Sequence, residues 1–370
     1  MLEVIYLISR ARPSGPINQA LNILTGMKQN GRVHAALVTL APEEENNSWL
    51  QRFYDNGIEV VQFMQPLKST WRCVKKLRQY VEEHHVDVIH SAGYRADTVS
   101  LLTKCGAIKV STQRSHPHDV VEKFPKWQQP LLNYLHLKML KKMDGVVACS
   151  KSLQSVFMNE FFMNIDAVQN GVNTEKFKPA TSIEKEEART SLGLTANQVM
   201  ILILGSVRTR KNIQMIVDSL HEIKDERLSA FFVGGGPQLE EMREQTKNDD
   251  NIHFIGQVKD PSIYLKASDV MLSASLAEGL PNSILEALAC GLSVVLSDIE
   301  PHKELIEGTG VGALFSRDSK EELIDALKKS MEWDKEEVSQ QSRQLALDRF
   351  SIWKLAENYE NVYKKILNRK

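Results

Sequence analysis

Glu278-Gly279-Leu280-Pro281-Asn282-Ser283-Ile284-Leu285-Glu286 runs on through Ala287-Leu288-Ala289-Cys290-Gly291. It places two carboxylates eight positions apart, at the mouth and in the body of one short helix. Pro281 suits the first helical turn, where its missing N–H removes a donor that has no partner. Ile284, Leu285 and Leu288 give an apolar face, and Gly291 ends the helix. With the helix starting near Pro281, the carboxylates stand roughly 12 Å apart along its axis, at about 1.5 Å per residue. A glycosidase acid and nucleophile sit about 5 to 9.5 Å apart, so this is no such pair. The span suits one elongated ligand, such as a sugar joined to a ribose through a diphosphate. Taken singly, each carboxylate is ordinary, because acidic residues favour helix N-termini and Glu is a good helix former.

The helix leads into Ser293-Val294-Val295-Leu296-Ser297-Asp298, a strand, and the whole chain alternates in this way. Strands are expected at residues 3–8, 33–40, 58–63, 86–90, 108–112 and 145–148, with helices such as 17–28 and 70–83 between them. A second series restarts at 199–204 and continues at 230–233, 252–255, 270–272, 293–297 and 312–314. Strands alternating with amphipathic helices indicate parallel α/β sheets. The polar segment 170–197, with Pro179 and a charged run at 184–189, reads as an interdomain linker. The boundaries expected are therefore 1–170 and 171–350, with a helical tail over 319–370 interrupted at Phe350-Ser351-Ile352-Trp353. In that tail Tyr359 and Tyr363 share one helix face.

Leu204-Gly205-Ser206-Val207-Arg208-Thr209-Arg210-Lys211-Asn212 follows the first strand of the second half and opens a helix. A glycine and a cationic loop at such a place make a good diphosphate site. Val233-Gly234-Gly235-Gly236-Pro237 also joins a strand to a helix. A nicotinamide site would want an acidic residue at the end of the following strand. That strand ends in Phe254-Ile255-Gly256-Gln257, which argues against an oxidoreductase.

The Glu-Gly-Leu-Pro-Asn and Glu-Ala-Leu-Ala-Cys-Gly strings resemble the donor-site signature of retaining family 4 glycosyltransferases. Asn170-Gly171-Val172 resembles that family's interdomain segment. The resemblance covers nearly the whole chain and is stronger in the second half. It implies a GT-B fold: two Rossmann-like domains facing across a cleft, with the last helix (about 351–370) crossing back to the first. The first domain would be acceptor-side and the second would bind the nucleotide sugar. The implied reaction is transfer of a hexose or N-acetylhexosamine from a nucleotide diphosphate sugar, UDP-sugars foremost, to a hydroxyl of a growing glycan or lipid-linked acceptor. The family's setting is bacterial surface polysaccharide or lipopolysaccharide assembly.

The resemblance also assigns roles. Glu278 would read the transferred sugar, Lys211 would bind the diphosphate, and Arg208 or Arg210 would supply a second cation. The family's commonest pattern has Arg directly after the glycine, where this chain has Ser206. Glu286 would hold the ribose, with Gly279, Leu280, Pro281 and Asn282 shaping the donor loop. Gly234 and Gly235 would line the nucleotide, with Gln257 and Val258 near the base. In the first half, Gly15 within Ser14-Gly15-Pro16 would approach the phosphates, although relatives usually carry two glycines there. His116, His118 or Arg114 would meet the sugar or acceptor, and His90 reads more readily as packed or solvent-facing. No metal or other cofactor is expected, because lysine, arginine and backbone N–H groups can meet the charge of the leaving diphosphate. An epimerase or hydrolase on the same fold, and a non-catalytic nucleotide-sugar-binding protein, are the competing readings.

At 370 residues the chain exceeds what one core usually serves. Its net charge of −1 hides an asymmetry: residues 1–170 carry 20 Lys and Arg against 15 Asp and Glu, the remainder 26 against 32. A basic first half suits an anionic acceptor or membrane surface rather than nucleic acid. Phe124 opens a basic amphipathic stretch that runs to Met143, which fits either a membrane-surface helix or a helix packed on the sheet. Without a signal-type N-terminus or an apolar run of spanning length, the expected place is the cytoplasm, with peripheral contact at the inner membrane. The scattered Cys73, Cys105, Cys149 and Cys290 are expected to be reduced, buried thiols.

Overall fold

The computed structural model describes residues 1–120 and 125–369. The chain forms two compact units, Met1–Gly171 with Ile352–Lys370, and Val172–Ser351. The first unit carries β1 (Leu2–Ile8), β2 (Val33–Thr39), β3 (Glu59–Gln62), β4 (Val88–Ser91), β5 (Ile108–Gln113), β6 (Gly145–Ala148) and β7 (Asp166–Ala167). They form one parallel sheet in the order β3-β2-β1-β4-β5-β6-β7. The second carries β8 (Val199–Leu204), β9 (Leu228–Val233), β10 (Ile252–Gly256), β11 (Val270–Ser273), β12 (Ser293–Ser297) and β13 (Gly312–Phe315). Its order is β10-β9-β8-β11-β12-β13, again parallel.

The central strands read as near-continuous apolar runs because helices cover both faces of a parallel sheet. Val4 to Ile8 of β1 and Met200 to Ile203 of β8 are all buried. In each sheet the strand order reverses beside the first strand of the unit, between β1 and β4 and between β8 and β11. Ligands of open α/β sheets bind outside the carboxyl ends of strands at such a switch point.

The last helix, Ile352–Leu367, belongs to the first unit, where Tyr359 and Tyr363 are fully buried. It lies close on Gly15–Asn30: a Cβ on Gly26 would come 2.2 Å from the carbonyl oxygen of Ile352. His90 is packed, one of the two placements its sequence context allowed. Its Nδ1 is 2.6 Å from the Tyr363 hydroxyl and its Nε2 is 2.7 Å from Thr112 Oγ1. Burial holds the imidazole well below its ordinary pKa, so it is neutral.

Several expectations need correcting. The segment read as a linker contains the helix Ser182–Ser191, with a capping box between Thr181 and Glu184. Its Arg189 is buried and pairs with Asp269 at 3.0 Å, so the helix belongs to the second unit. The tail breaks twice, between Lys320–Ser330 and Lys335–Phe350 as well as at Ser351. Pro281 is the N-cap, with the helix at Asn282–Ala289. Cys105 is only half-buried, unlike the other three free thiols. β7 was not anticipated, since Asp166-Ala167 offers two residues and no alternation. Phe124 lies outside the described residues, and the stretch it opens forms the helix Gln129–Leu140. Among the described residues no helix is long and apolar enough to cross a membrane.

Tyr363→Phe removes the partner of a buried imidazole nitrogen and should cost about 1–3 kcal/mol. Urea unfolding of the variant measures it; unchanged stability would mean that the contact holds nothing.

Candidate functional site

The second unit gathers its predicted residues on the loops that leave β8, β9, β10 and β11. Gly205, just past β8, has φ 154°, and Gly234, just past β9, has φ 151°, conformations that favour glycine. A Cβ on Gly234 would lie 1.9 Å from the Gly205 carbonyl oxygen, and one on Gly236 would lie 2.1 Å from that of Val207. The two loops are thus in backbone contact, held by Gly205 N–H to Val233 O and Val207 N–H to Gly235 O, both at 3.0 Å. Gly234 N–H donates in turn to Gly256 O at 2.9 Å, which brings in the loop after β10. There Gln257 lies beside Gly235 and is exposed, with Val258 half-buried.

A short 3-10 turn, Thr209–Lys211, carries the cations. Arg208 and Arg210 are exposed. Lys211 turns inward, and its Nζ stands 2.6 Å from Glu278 Oε1, with the two side chains only 15% and 10% exposed. Lys211 follows β8 and Glu278 follows β11, so this pair sits at the switch point of the second sheet. The contact is an ion pair rather than an aligned hydrogen bond, since among the described residues Oε1 has no partner of hydrogen-bond geometry. Burial alone would raise the Glu278 pKa, but Lys211 and then Arg210 outweigh it and hold the carboxyl below its ordinary value. Of the two arginines, Arg210 acts on Glu278 the more strongly.

The Glu278 loop is anchored at its root. Leu276 N–H donates to Arg210 O at 2.9 Å, and Ser297 Oγ, at the end of β12, donates to Ser275 O at 2.6 Å. Leu280 and Pro281 are buried and fix the turn into the helix, while Gly279 and Asn282 are half-buried beside it. Glu286 is half-buried one turn before the helix ends. The structure thus assembles Lys211, Glu278, Arg210 and the glycine loops at the carboxyl ends of the strands of the second sheet.

His302 is a neighbour the sequence reading missed. It is fully buried on the helix Glu300–Ile306, and its Nδ1 is 2.9 Å from Ser297 O. Among the described residues its Nε2 has no partner. Burial pushes its pKa down to about 4 against the opposing pull of Glu278, leaving a neutral ring near the ion pair. The signal was present: Ser297-Asp298-Ile299-Glu300-Pro301 is a strand end followed by Pro at a helix start, as Pro281 stands at the start of the helix after Glu278.

In the first unit one candidate opens a helix and the others follow directly on β5. Gly15 is exposed as the first residue of its helix. His116 is half-buried, with Nε2 3.0 Å from Glu160 Oε2, and stacks on His118 at 5.0 Å. Asn133 Nδ2 meets His118 Nδ1 at 2.9 Å. Arg114 donates to Asn170 Oδ1 at 2.6 Å and reaches Tyr6, so its guanidinium is engaged inside the unit.

Two family models match the chain. Glycosyltransferase Family 4 covers residues 15–176 and Glycosyl transferases group 1 covers residues 184–344. The alpha-monoglucosyldiacylglycerol synthase of Streptococcus pneumoniae is 23% identical over 304 residues, 76% of this chain and 68% of its own. The UDP-Gal:alpha-D-GlcNAc-diphosphoundecaprenol alpha-1,3-galactosyltransferase of Escherichia coli is 24% identical over 322 residues, 83% and 81% of the two chains. The crystal structure of Anabaena Alr3699/HepE in complex with UDP superposes with a TM-score of 0.81 at 18% identity, covering 98% of this chain and 100% of that one. The fold is GT-B, two Rossmann-like parallel-sheet domains. With both family models matched in sequence, the chain belongs to the family 4-type glycosyltransferases.

Unfolded histidine titrates near 6.5, so below that pH the unfolded chain takes up a proton that buried His302 refuses. Stability should therefore fall by about 2 kcal/mol from this group between roughly pH 7 and pH 5. His302→Gln should flatten that part of the pH dependence in urea melts. A variant as acid-sensitive as wild type would show that His302 is not held neutral.

Proposed function

We propose that this glycosyltransferase moves a hexose or N-acetylhexosamine from a UDP-sugar to a hydroxyl of a glycan or lipid-linked acceptor, with retention at the anomeric carbon and without a metal ion. The observation that carries the reading is the Lys211–Glu278 pair at the switch point of the second sheet, beside two glycine loops in backbone contact. A diphosphate seated there meets the Lys211 ammonium, Arg210 and loop N–H groups, while Glu278 accepts from hydroxyls of the sugar. Glu286 is proposed to hold the ribose, and Gly15 and His116 are proposed to serve from the first unit. The choice of UDP and of a lipid-linked acceptor is supported by the relatives, one named for UDP-Gal and a diphosphoundecaprenol acceptor and another for a glucosyl lipid.

In the reaction the bond from the anomeric carbon to the diphosphate oxygen breaks and the acceptor oxygen bonds to the same face. The hydroxyl proton passes to the departing phosphate. Positive charge develops on the sugar and negative charge on the leaving group. Lys211 thus gains attraction as the bond breaks, which is the condition for accelerating the step rather than only binding the substrate. Retention rests on the family likeness.

Steady-state kinetics in chelator-treated buffer test this. Lys211→Ala should lower turnover by roughly 10²–10³, more than it weakens donor binding. Glu278→Gln should lose turnover and discrimination among sugars, while a nucleoside diphosphate alone binds at least as well, because Lys211 has lost its competitor. The other role open to Glu278 is favouring a helix N-terminus, worth about 0.3–1 kcal/mol, although four positions separate it from Asn282. Near-wild-type turnover in a destabilised Glu278→Gln protein would overturn its sugar-binding role. Activity abolished by chelator and restored by a divalent cation would overturn the metal-free one.

A further inference from the structure

The helix Gln129–Leu140 of the first unit is amphipathic the wrong way round. Its buried residues are Asn133, His136 and Leu140, spaced along one face. Its opposite face, at i, i+3, i+4 and i+7 spacing, presents Leu131, Tyr134, Leu135 and Lys138 to solvent. Leu131 is 62% exposed and Tyr134 59%, and Trp127, just before the helix, is 81% exposed.

The polar side is held by strong partners. His136 Nε2 lies 3.1 Å from Asp97 Oδ2, and Asp97 also accepts from Ser91 and Ser111, each at 2.7 Å. Both His136 and Asp97 are fully buried. Rotating the helix to bury its leucines would expel this network, so the apolar face is locked outward.

The charge that the helix and its immediate flanks carry is of one sign. Lys126, Lys138, Lys141 and Lys142 are exposed, and no Asp or Glu lies between Pro125 and Met143. A protein-interface core is depleted in lysine. Aromatic and leucine side chains bordered by lysines are the pattern of a helix that lies in a membrane interface. We infer that this face of the first unit docks on an anionic phospholipid surface, with Trp127, Leu131, Tyr134 and Leu135 in the interfacial layer and the lysines against the headgroups. The surface lies on the first unit and uses neither Lys211 nor Glu278, so it stands whether or not the acceptor is lipid-linked.

Flotation of the full chain with vesicles needs neither donor nor acceptor, so its failure leaves the glycosyltransferase reading untouched. Vesicles of phosphatidylcholine with phosphatidylglycerol should carry the protein, and added salt should release it. Phosphatidylcholine alone should carry much less. The triple variant Lys138→Gln, Lys141→Gln, Lys142→Gln should lower partitioning by roughly fivefold per lysine, and Leu131→Ser with Leu135→Ser should abolish it. All these positions are exposed; melting curves check the fold, and Trp127→Ala, outside the helix, gives an independent loss of binding. Wild type that stays unbound to phosphatidylglycerol vesicles would overturn the inference, as would variants that bind like wild type. So would a concentration-dependent dimer in sedimentation velocity that the leucine variants dissolve, since the face would then belong to a second copy.

Discussion

The second unit is organised around one expensive contact, the ion pair of Lys211 with Glu278. Two largely desolvated charges repay their loss of water only when held in good geometry. The fold supplies that geometry by taking one charge from the loop after β8 and the other from the loop after β11. The supports are backbone groups: Leu276 N–H on Arg210 O, and Ser297 Oγ on Ser275 O. Such an arrangement stores binding capacity. A ligand bringing its own negative charge to Lys211 and hydroxyl donors to Glu278 satisfies both groups at once, and neither then remains buried without a counterpart.

The first unit uses its buried polar groups differently. His90 is spent on Tyr363 and Thr112, Arg114 on Asn170, and Asp97 on His136 and two serines. These contacts fix the terminal helix and the helix Gln129–Leu140, and the Arg114 guanidinium meets neutral groups, Asn170 and Tyr6. The buried ion pair proposed to meet the donor lies in the second unit, and the first adds an outward-facing apolar helix to the residues proposed for it, Gly15 and His116.

Much of this was legible in the residues. Buried parallel strands announce themselves as apolar runs, so β6, β8 and β12 were located to the residue and most other strands to within one or two. The Glu278 string and the cationic loop were readable because strand end, glycine and helix start follow one another within a few positions. What escaped was set by tertiary contacts. β7 is too short to have a period. The helix Ser182–Ser191 looked like polar linker because its stability lies in a capping box and in Arg189 reaching Asp269. His302 matters through what it is buried against. The helix Gln129–Leu140 shows why periodicity alone misleads: it has two distinct faces, and only the position of Asp97 decides that the polar one goes inside.

The most direct measurement is a crystal structure of the protein soaked with a nucleoside diphosphate. The account predicts the distal phosphate about 3 Å from Lys211 Nζ, against the Gly205-Ser206-Val207 loop, with the ribose hydroxyls on Glu286. The second unit also has a cavity of about 180 Å³ lined by Lys185, Asp269 and Cys290. A nucleotide bound there, or one leaving the Lys211–Glu278 pair untouched, would contradict the account.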